Sequence, residues 1–554
     1  MRHPRPASPR PTRHHTTRRL LALGAAATAS ALLLAGCSTP SAGSTDGTFV
    51  IVTAAQPPSF SYETSVTGYE AAEFNTNIGA TLIRNPYVAG EDGLASHQDY
   101  YSFEPLLAES YDVSEDGLTY TFHLDPDAVS AQGNTLTADD VVFSMERKFN
   151  VATSIVPFIS NPVFTDVAQQ VKKIDDSTVS FTVSDPGYGF TLLSLLANTP
   201  YNIYDSTALK EHATDDDPYG VAWSEETGTY GFGAYSLVDY TPGEQMVYEA
   251  NPGYVLGEPE VKRIVQRVVA DAGQRSNLVK SGDAQIATQL RPADQATLAA
   301  DESAQVFDVA TNAFVYMPLL TTSAPFDDVA VRKALALAIP YDAIMEDVYK
   351  DRLGPIDSIL SDQAPGYDGE GLAANTTDVD AAKKLLSDAG YTEPIEFTLT
   401  VNNAVPDLQE TAVQIQTAAK EAGFEITIDS VNSAAFQEGL GTKAFQASMG
   451  RDYAVVQSPP YVLSLFYTPG SPINWPDFDD EALNGAIAAG NAAGDPLSDA
   501  AGAEWNAAEK VLQSELPTIY IGYVQPLNAF ANGVEGYQFR SDNVIDYSQL
   551  SVAE

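Results

Sequence analysis

Apolar and polar residues alternate in several short stretches of the chain, which is the pattern of half-buried β-strands. Residues 48–54 form a compact apolar run that is typical of a buried strand. Over 118–124, apolar residues stand at every second position, and Asp116-Gly117 before them indicates a turn after 109–114. The early part of the chain therefore predicts a buried strand and a β-hairpin.

A helical period follows the hairpin. Val141, Met145 and Phe149 recur at the spacing of an amphipathic helix. Thr137 and Asp140, three residues apart, form a capping-box pattern at the start of this stretch. The sequence therefore predicts a helix that begins after Thr137.

Helices and strands alternate in the second half of the chain. The pattern predicts helices from Asp378 to Gly390, over 408–422 before Gly423, and over 435–440, with strands over 395–401, 424–428 and 444–449. This alternation predicts an α/β fold, in which ligands bind beyond the carboxyl ends of the strands. We therefore expect a ligand site at Arg451, Asp452 and Tyr453, directly after the last of these strands.

The composition narrows the class of protein. The chain has 554 residues, of which 44% are hydrophobic and 19% charged, which is typical of a folded globular protein with several domain-sized units. Lys and Arg together number 29, whereas Asp and Glu number 74, so the formal net charge is −45. Such an acidic chain does not neutralise phosphates, and we expect no nucleic-acid partner.

The N-terminus has the pattern of an export signal. Residues 1–36 contain arginines and no acid, followed by an apolar run that ends in small residues before Cys37, the only cysteine of the chain. This end resembles the bacterial lipobox, which implies cleavage before Cys37 and a lipid on its thiol. We expect 1–36 to be a lipoprotein signal peptide and 37–47 a lipidated, flexible tether. The body would then be exported and anchored by lipid to the outer face of the cytoplasmic membrane, by a secretory or a twin-arginine route.

Motifs for catalysis and metal binding are scarce in the sequence. His97, His123 and His212 are widely separated, and no H-E-x-x-H, paired Cys/His, P-loop or G-x-S-x-G pattern occurs. A secreted hydrolase acting on a glycoside or a peptide is the alternative from another class, and chance pairs of carboxylates would be its candidate groups in the glycoside case. The scarcity of such motifs argues against an enzyme, and we expect neither a cofactor nor a metal site.

Several longer stretches keep the order and approximate spacing of one protein family. They are 106–110 (LLAES), 116–124 (DGLTYTFHL), 136–144 (LTADDVVFS), 231–235 (GFGAY), 251–254 (NPGY), 281–283 (SGD), 325–335 (PFDDVAVRKAL), 381–391 (AAKKLLSDAGY) and 414–423. Together they resemble the oligopeptide- and dipeptide-binding lipoproteins of family 5, the extracellular solute-binding proteins of ABC importers.

The resemblance implies a periplasmic-binding-protein-like α/β fold with two lobes, a hinge between them and an inserted third subdomain. By this resemblance lobe I comprises 48–92, 200–312 and 525–554, the inserted subdomain 93–199, and lobe II 313–524. It also implies that a monomer captures a peptide or another small solute between its lobes and delivers it to ABC-transporter permease subunits in the membrane.

Residues 449–453 resemble the W-x-x-D-Y stretch of this family, whose acid binds the peptide α-amino group. The resemblance implies that Asp452 binds an ammonium group and that the backbone near Gly450 pairs with the backbone of the ligand. Two positions depart from the family: Met449 replaces the aromatic wall, and Arg451 replaces a small residue. Arg451 either neutralises Asp452 or holds a ligand carboxylate.

Phe74, Asn75, Tyr316 and Tyr453 are further pocket candidates, with core packing as the alternative role for the aromatic residues. The cargo stays open at this point: a peptide, or an opine-like compound, a sugar or a metal chelate. The sequence also leaves open the identity of the permease and the cause of the strong acidity.

Overall fold

The structure, a computed structural model, describes residues 48–64, 68–91 and 93–553. The predicted signal peptide 1–36, Cys37 and the tether 37–47 lie outside these residues. No helix in the described part of the chain is long and apolar enough to span a membrane.

A six-stranded sheet is built around the first strand, Thr48–Thr53. This strand pairs in parallel with Arg263–Val268 on one side and with Ile286–Ala287 on the other. Ile51 and Val52 are fully buried, so the predicted buried strand is confirmed. Along the sheet the order is Tyr235–Thr241, Gln245–Ala250, Arg263–Val268, Thr48–Thr53, Ile286–Ala287 and Ala529–Phe530.

A second sheet has four antiparallel strands. Their order is Ala108–Val113, Thr119–Leu124, Thr178–Thr182 and Val171–Asp175. The predicted hairpin is confirmed, with Gly117 at φ +71°, a conformation that glycine adopts without the steric cost of a side chain. The sheet's buried side chains form one apolar cluster with helix Ala138–Asn150.

The predicted capping box is confirmed at the start of helix Ala138–Asn150. The backbone N–H of Thr137 donates to Oδ2 of Asp140 at 2.8 Å. The other carboxylate oxygen, Oδ1, accepts from the backbone N–H of Ser206 at 2.8 Å. Buried Asp140 thus joins the helix to a segment 66 residues later in the chain.

The same helix carries a fully buried ion cluster. Arg147 Nη2 lies 3.0 Å from Glu63 Oε2, and Lys148 Nζ lies 3.8 Å from Glu63 Oε1, with all three side chains at 0% exposure. Burial opposes ionisation of Glu63, but Arg147 and Lys148 hold its pKa down to about 2. The cluster fixes the segment that contains Tyr62 against helix Ala138–Asn150.

A parallel sheet of three strands lies further along the chain. Its order is Phe424–Val431, Ile395–Asn402 and Ala447–Ser448, and its strands alternate with helices Val379–Asp388, Pro406–Ala422 and Ser433–Gly441. Gly390 and Gly423 have φ of +89° and +104°, which confirms the predicted helix ends. The last strand, Ala447–Ser448, is shorter than the predicted 444–449.

An antiparallel sheet lies next to the parallel one. Its order is Leu353–Gly354, Thr518–Val524, Phe314–Pro318 and Gly450–Asp452. All five residues of Phe314–Pro318 are buried. Val315 and Met317 lie in the core shared with the parallel sheet, whereas Phe314 and Tyr316 lie in a second core formed with three helices. These helices are Pro459–Tyr467, Glu481–Asn491 and Asp499–Glu515.

The other elements surround these sheets. The longer remaining helices are Tyr69–Ile78, Gly189–Leu196, Ala272–Ser281, Pro292–Ala300 and Val329–Ala338. Short helices are Tyr62–Thr64, Val156–Ile159, Val167–Gln170, Pro186–Tyr188, Thr199–Tyr201, Ser206–Glu211, Val221–Thr227, Tyr341–Ala343, Ile344–Val348 and Tyr547–Gln549. Short strands are Ile83–Arg84, Tyr87–Val88, His97–Gln98, Glu104–Pro105, Val534–Glu535 and Ser551–Val552. The predicted α/β class is therefore confirmed, while the residue boundaries of the lobes and of the inserted subdomain stay a prediction.

Replacement of Asp140 by Ala should lower the free energy of unfolding by about 2 to 3 kcal/mol, because it removes a helix cap and leaves the buried Ser206 N–H unpaired. Urea denaturation followed by circular dichroism measures this change. Asp139→Ala, on the exposed side of the same turn, is the control; it removes only an exposed ion pair with Lys173 and should lower stability by less than about 1 kcal/mol. Equal losses in the two variants would contradict the structural role of Asp140.

Candidate functional site

The strand Gly450–Asp452 carries the central residues of the candidate site. It follows Ala447–Ser448 directly, so the chain leaves the parallel sheet and enters the antiparallel one. The register pairs Asp452 with Phe314, Arg451 with Val315 and Gly450 with Tyr316. Because side chains alternate along a strand, Asp452 and Arg451 point to opposite faces of the sheet.

Asp452 is a partly buried carboxyl group with few partners. Its Oδ1 accepts from the backbone N–H of Tyr453 at 2.8 Å, and the hydroxyl of Tyr316 lies 3.5 Å from its Oδ2. Burial raises its pKa to about 6, against the weaker opposing effect of these hydrogen bonds. Within residues 48–64, 68–91 and 93–553, no Lys, Arg or His forms an ion pair with it. The charged form of Asp452 therefore lacks a counter-ion.

Arg451 has a partner that the sequence did not suggest. Its Nη1 lies 3.4 Å from Oδ2 of the buried Asp407, and the hydroxyl of Tyr349 donates to the same oxygen at 3.0 Å. The structure therefore places Arg451 beside Asp407, on the other face of the strand from Asp452. This contact fulfils neither of the two roles considered for Arg451, which were to neutralise Asp452 and to hold a ligand carboxylate.

Gly450 and Tyr316 fit together closely. A Cβ atom at Gly450 would lie 2.8 Å from the ring of Tyr316, so a residue with a side chain at 450 displaces that ring. Tyr316 is 6% exposed and packs edge-on against Phe314. The structure thus brings Gly450, Tyr316 and Asp452 together on one face of the sheet.

Three other candidates lie apart from Asp452. Met449 is fully buried in the core shared with the parallel sheet. Phe74 is 1% exposed and packs against Phe60, with ring centroids 4.8 Å apart. Asn75 is also buried; its Nδ2 donates to the carbonyl of Ala71 at 2.8 Å. In this structure all three have the surroundings of core residues.

Tyr453 faces residues from both ends of the chain. Burial raises its pKa well above the usual range, as do nearby Asp542 and Tyr62, while Arg540 opposes this effect. Arg540 and Asp542 form a pair with N–O distances of 3.0 and 2.9 Å. Sequence reasoning missed Tyr62, Arg540 and Asp542, since no local pattern links positions so far apart.

The segment after Tyr453 packs against the sheet that contains Ala108–Val113 and Thr119–Leu124, and against the helices beside that sheet. Val456 and Tyr461 are buried in that apolar cluster. Asn198 Nδ2 donates to the carbonyl of Val455 at 3.1 Å, and the hydroxyl of Tyr461 donates to the carbonyl of Ile159 at 3.0 Å. One side of the Asp452 site is therefore closed by contacts between distant parts of the chain.

In the portion covered by the structure, no three His, Cys, Asp or Glu side chains come close enough to hold a metal ion.

Known proteins share much of this chain. It is 29% identical to Heme-binding protein A of Haemophilus influenzae over 392 residues, which cover 66% of this chain and 68% of that protein. It is 30% identical to Dipeptide-binding protein of Escherichia coli over 309 residues, which cover 53% of this chain and 56% of that protein. These relatives are binding proteins by name.

Solved structures share the fold. The periplasmic binding protein DppA from Helicobacter pylori, in complex with peptide STSA, matches with a TM-score of 0.77 and 20% identity, covering 92% of this chain and 98% of that one. The murein tripeptide binding protein MppA of Escherichia coli matches with a TM-score of 0.76 and 19% identity, at 92% and 98% coverage. The predicted two-lobed fold class is confirmed by these matches.

The family model described as "Bacterial extracellular solute-binding proteins, family 5 Middle" matches residues 102–473. This range covers most of the chain and includes the strand that carries Asp452. The resemblance found in the sequence is thereby confirmed: the chain belongs to family 5 of the bacterial extracellular solute-binding proteins.

Proposed function

We propose that this protein captures peptides by their free amino terminus at Asp452, between two closing lobes, and delivers them to an ABC-transporter permease in the membrane. The observation that carries the proposal is the Asp452 carboxyl group, which is held inside the protein with no cation beside it in the described chain. A bound ammonium group would supply the missing charge. Hydrogen bonds between charged groups are roughly twice as strong as neutral ones.

The backbone around Asp452 supports a peptide as the ligand. Gly450–Asp452 is the last strand of its sheet, so one of its edges has no neighbouring strand within that sheet. An extended peptide adds to such an edge through main-chain hydrogen bonds, which depend little on side-chain identity. Because Gly450 has no side chain, the ring of Tyr316 has room to lie against it, beside this edge.

The relatives also support peptides, because Dipeptide-binding protein of Escherichia coli is among them. Heme-binding protein A is a relative as well, so a non-peptide cargo is the alternative that a binding screen must test. Arg451 is paired with Asp407, which does not favour a second role for it as a carboxylate clamp. We propose further that the protein binds without catalysis, acts as a monomer, and is held at the membrane by a lipid on Cys37.

The Asp452→Asn variant should bind peptides about 30-fold more weakly or worse, because truncation of one partner of a buried charge pair costs roughly 2 to 5 kcal/mol. Isothermal titration calorimetry with di- to hexapeptides measures this, and N-acetylated peptides should lose affinity in wild type to a similar degree. Asp429→Asn, an exposed carboxylate on strand Phe424–Val431, is the matched control and should bind like wild type. Equal binding of free and acetylated peptides, or no binding of any peptide by a folded protein, would contradict the peptide assignment.

Peptide affinity should depend on pH in a direction set by Asp452. The ionised carboxylate binds the ammonium group, and its pKa is raised to about 6, so affinity should fall about tenfold per pH unit below pH 6. Above about pH 8 the peptide α-amino group loses its proton and affinity should fall again. Titrations from pH 4.5 to 9 test this; the Asp452→Asn variant should lose the acidic limb. An acidic limb that persists unchanged in this variant would assign it to another group.

Cys37→Ser should release the protein from the membrane, because the lipid is expected on the cysteine thiol and serine has no thiol. Membranes of producing cells are sedimented and the protein is detected in pellet and supernatant. Wild type is expected in the pellet and in the detergent extract, and the variant in the supernatant. The same distribution for both proteins would contradict anchoring at Cys37.

A further inference from the structure

A cavity of about 40 Å³ lies behind the candidate site, between helix Asp499–Glu515 and strand Thr518–Val524. This volume holds a small group of a few atoms. Its walls are both apolar and polar, and include Ile356, Ile359, Ala373, Leu512, Glu509 and Tyr520. Exposed Asp357 and Ala373 also line it, so the cavity reaches the surface on that side.

Glu509 is the buried polar group of this cavity. It is 3% exposed, and its Oε1 accepts a hydrogen bond from the hydroxyl of Ser358. Its Oε2 is buried and has no hydrogen-bond partner within the described residues. Most buried polar atoms in proteins are hydrogen-bonded, so an unpaired oxygen on a carboxyl group that lines a cavity is a candidate contact for a ligand, although backbone hydrogen bonds from Leu360 and Ile359 also stabilise this carboxyl group.

The surroundings of Glu509 favour a cation. No Lys, Arg or His of residues 48–64, 68–91 and 93–553 forms an ion pair with it, and the nearby Asp357 is also acidic. Glu509 helps to raise the pKa values of four tyrosines, and one of them, Tyr520, lines the cavity. The other three are Tyr367, Tyr467 and Tyr523. Carboxylates and aromatic rings are the groups that bind ammonium ions in proteins.

We propose that this cavity binds a primary ammonium group, with Glu509 as its counter-ion. The group has two possible sources: a free amine in solution, or a basic side chain of a bound cargo. For the second source, a cargo side chain would have to pass the rings of Tyr520 and Tyr316, which stack at 6.5 Å between centroids and separate the cavity from Asp452. The proposal for the free amine does not depend on peptide binding at Asp452.

Binding of an ammonium group should release a proton. Burial raises the pKa of Glu509 to about 8, with Asp357 adding to the effect, so the carboxyl group is mostly protonated at pH 7. The ammonium ion binds the ionised form, and the carboxyl proton must therefore leave to the buffer. Near pH 9 the carboxyl group is already ionised and no proton is released.

The test is calorimetric titration with n-butylamine, repeated in buffers of different ionisation enthalpy. It is run in the Asp452→Asn background, so that the candidate peptide site contributes nothing. We expect binding with nearly one proton released at pH 7 and close to none at pH 9. Glu509→Gln, which keeps the shape and the contact with Ser358, should weaken binding at least tenfold. Glu504→Gln, on the same helix but partly exposed, is the matched control and should bind as the background does.

A second variant distinguishes a loss of binding from a loss of folding. Ala373→Phe fills the rim of the cavity without touching Glu509 and should also weaken binding, while the circular dichroism spectrum stays that of the parent. Ala-Lys and Ala-Ala, titrated with otherwise wild-type protein, identify the source of the group. A loss of at least tenfold for Ala-Lys alone in Glu509→Gln supports a cargo side chain, whereas n-butylamine binding supports a free amine.

The proposal is overturned if n-butylamine does not bind and Glu509→Gln treats Ala-Lys and Ala-Ala alike. It is also overturned if n-butylamine binds equally well to Glu509→Gln. Failure of all peptides to bind, with n-butylamine still dependent on Glu509, would reject the proposed function and leave the cavity assignment in place.

Discussion

The pairing of two short strands, Gly450–Asp452 and Phe314–Pro318, determines the direction of every side chain at the candidate site. A slip of one residue would turn Asp452 into the aliphatic core and Arg451 out of it. The slip is prevented because Phe314–Pro318 is buried on both faces: Val315 fits one core and Tyr316 the other. The position of a single carboxylate thus depends on the packing of two hydrophobic cores.

Four buried or partly buried acids of this protein have contrasting surroundings. Glu63 and Asp407 each have a basic partner, Arg147 and Arg451 respectively. Asp452 and Glu509 have raised pKa values and no basic partner in the described chain. The chain carries 74 acidic residues, so acid content alone says little about a site. A missing counter-ion combined with few hydrogen-bond partners is the more informative property, because the charged group is then destabilised until a ligand arrives; Asp140 also lacks a basic partner, but backbone N–H groups of the protein satisfy it.

Local patterns predicted the local structure well. The hairpin turn at Gly117 and the capping box at Asp140 rest on residues within a few positions of each other, where steric and hydrogen-bonding rules are strong. The site is different, because the partner of Arg451 lies 44 residues earlier, and Tyr453 meets Tyr62 and Asp542 only through the tertiary fold.

Family resemblance indicated Asp452, since its motif records a spatial arrangement that no periodicity contains. Phe74 and Asn75 show the limit of such reasoning. An apolar or amide residue on a helix suits a pocket wall and a core equally well; both residues are buried in the folded chain, and their role at the site stays a prediction.

Under the proposed function, the segment after Tyr453 would link cargo capture to the balance between open and closed lobes. Two residues separate Asp452 from Val455, and three residue steps span at most about 10 Å. If the lobes part further than this, Val456 and Tyr461 must leave their apolar cluster, and a fully buried side chain of this kind resists exposure by about 1.5 to 3 kcal/mol. If the two lobes close as proposed, this burial favours the closed arrangement, and a ligand then needs less differential affinity to complete the shift.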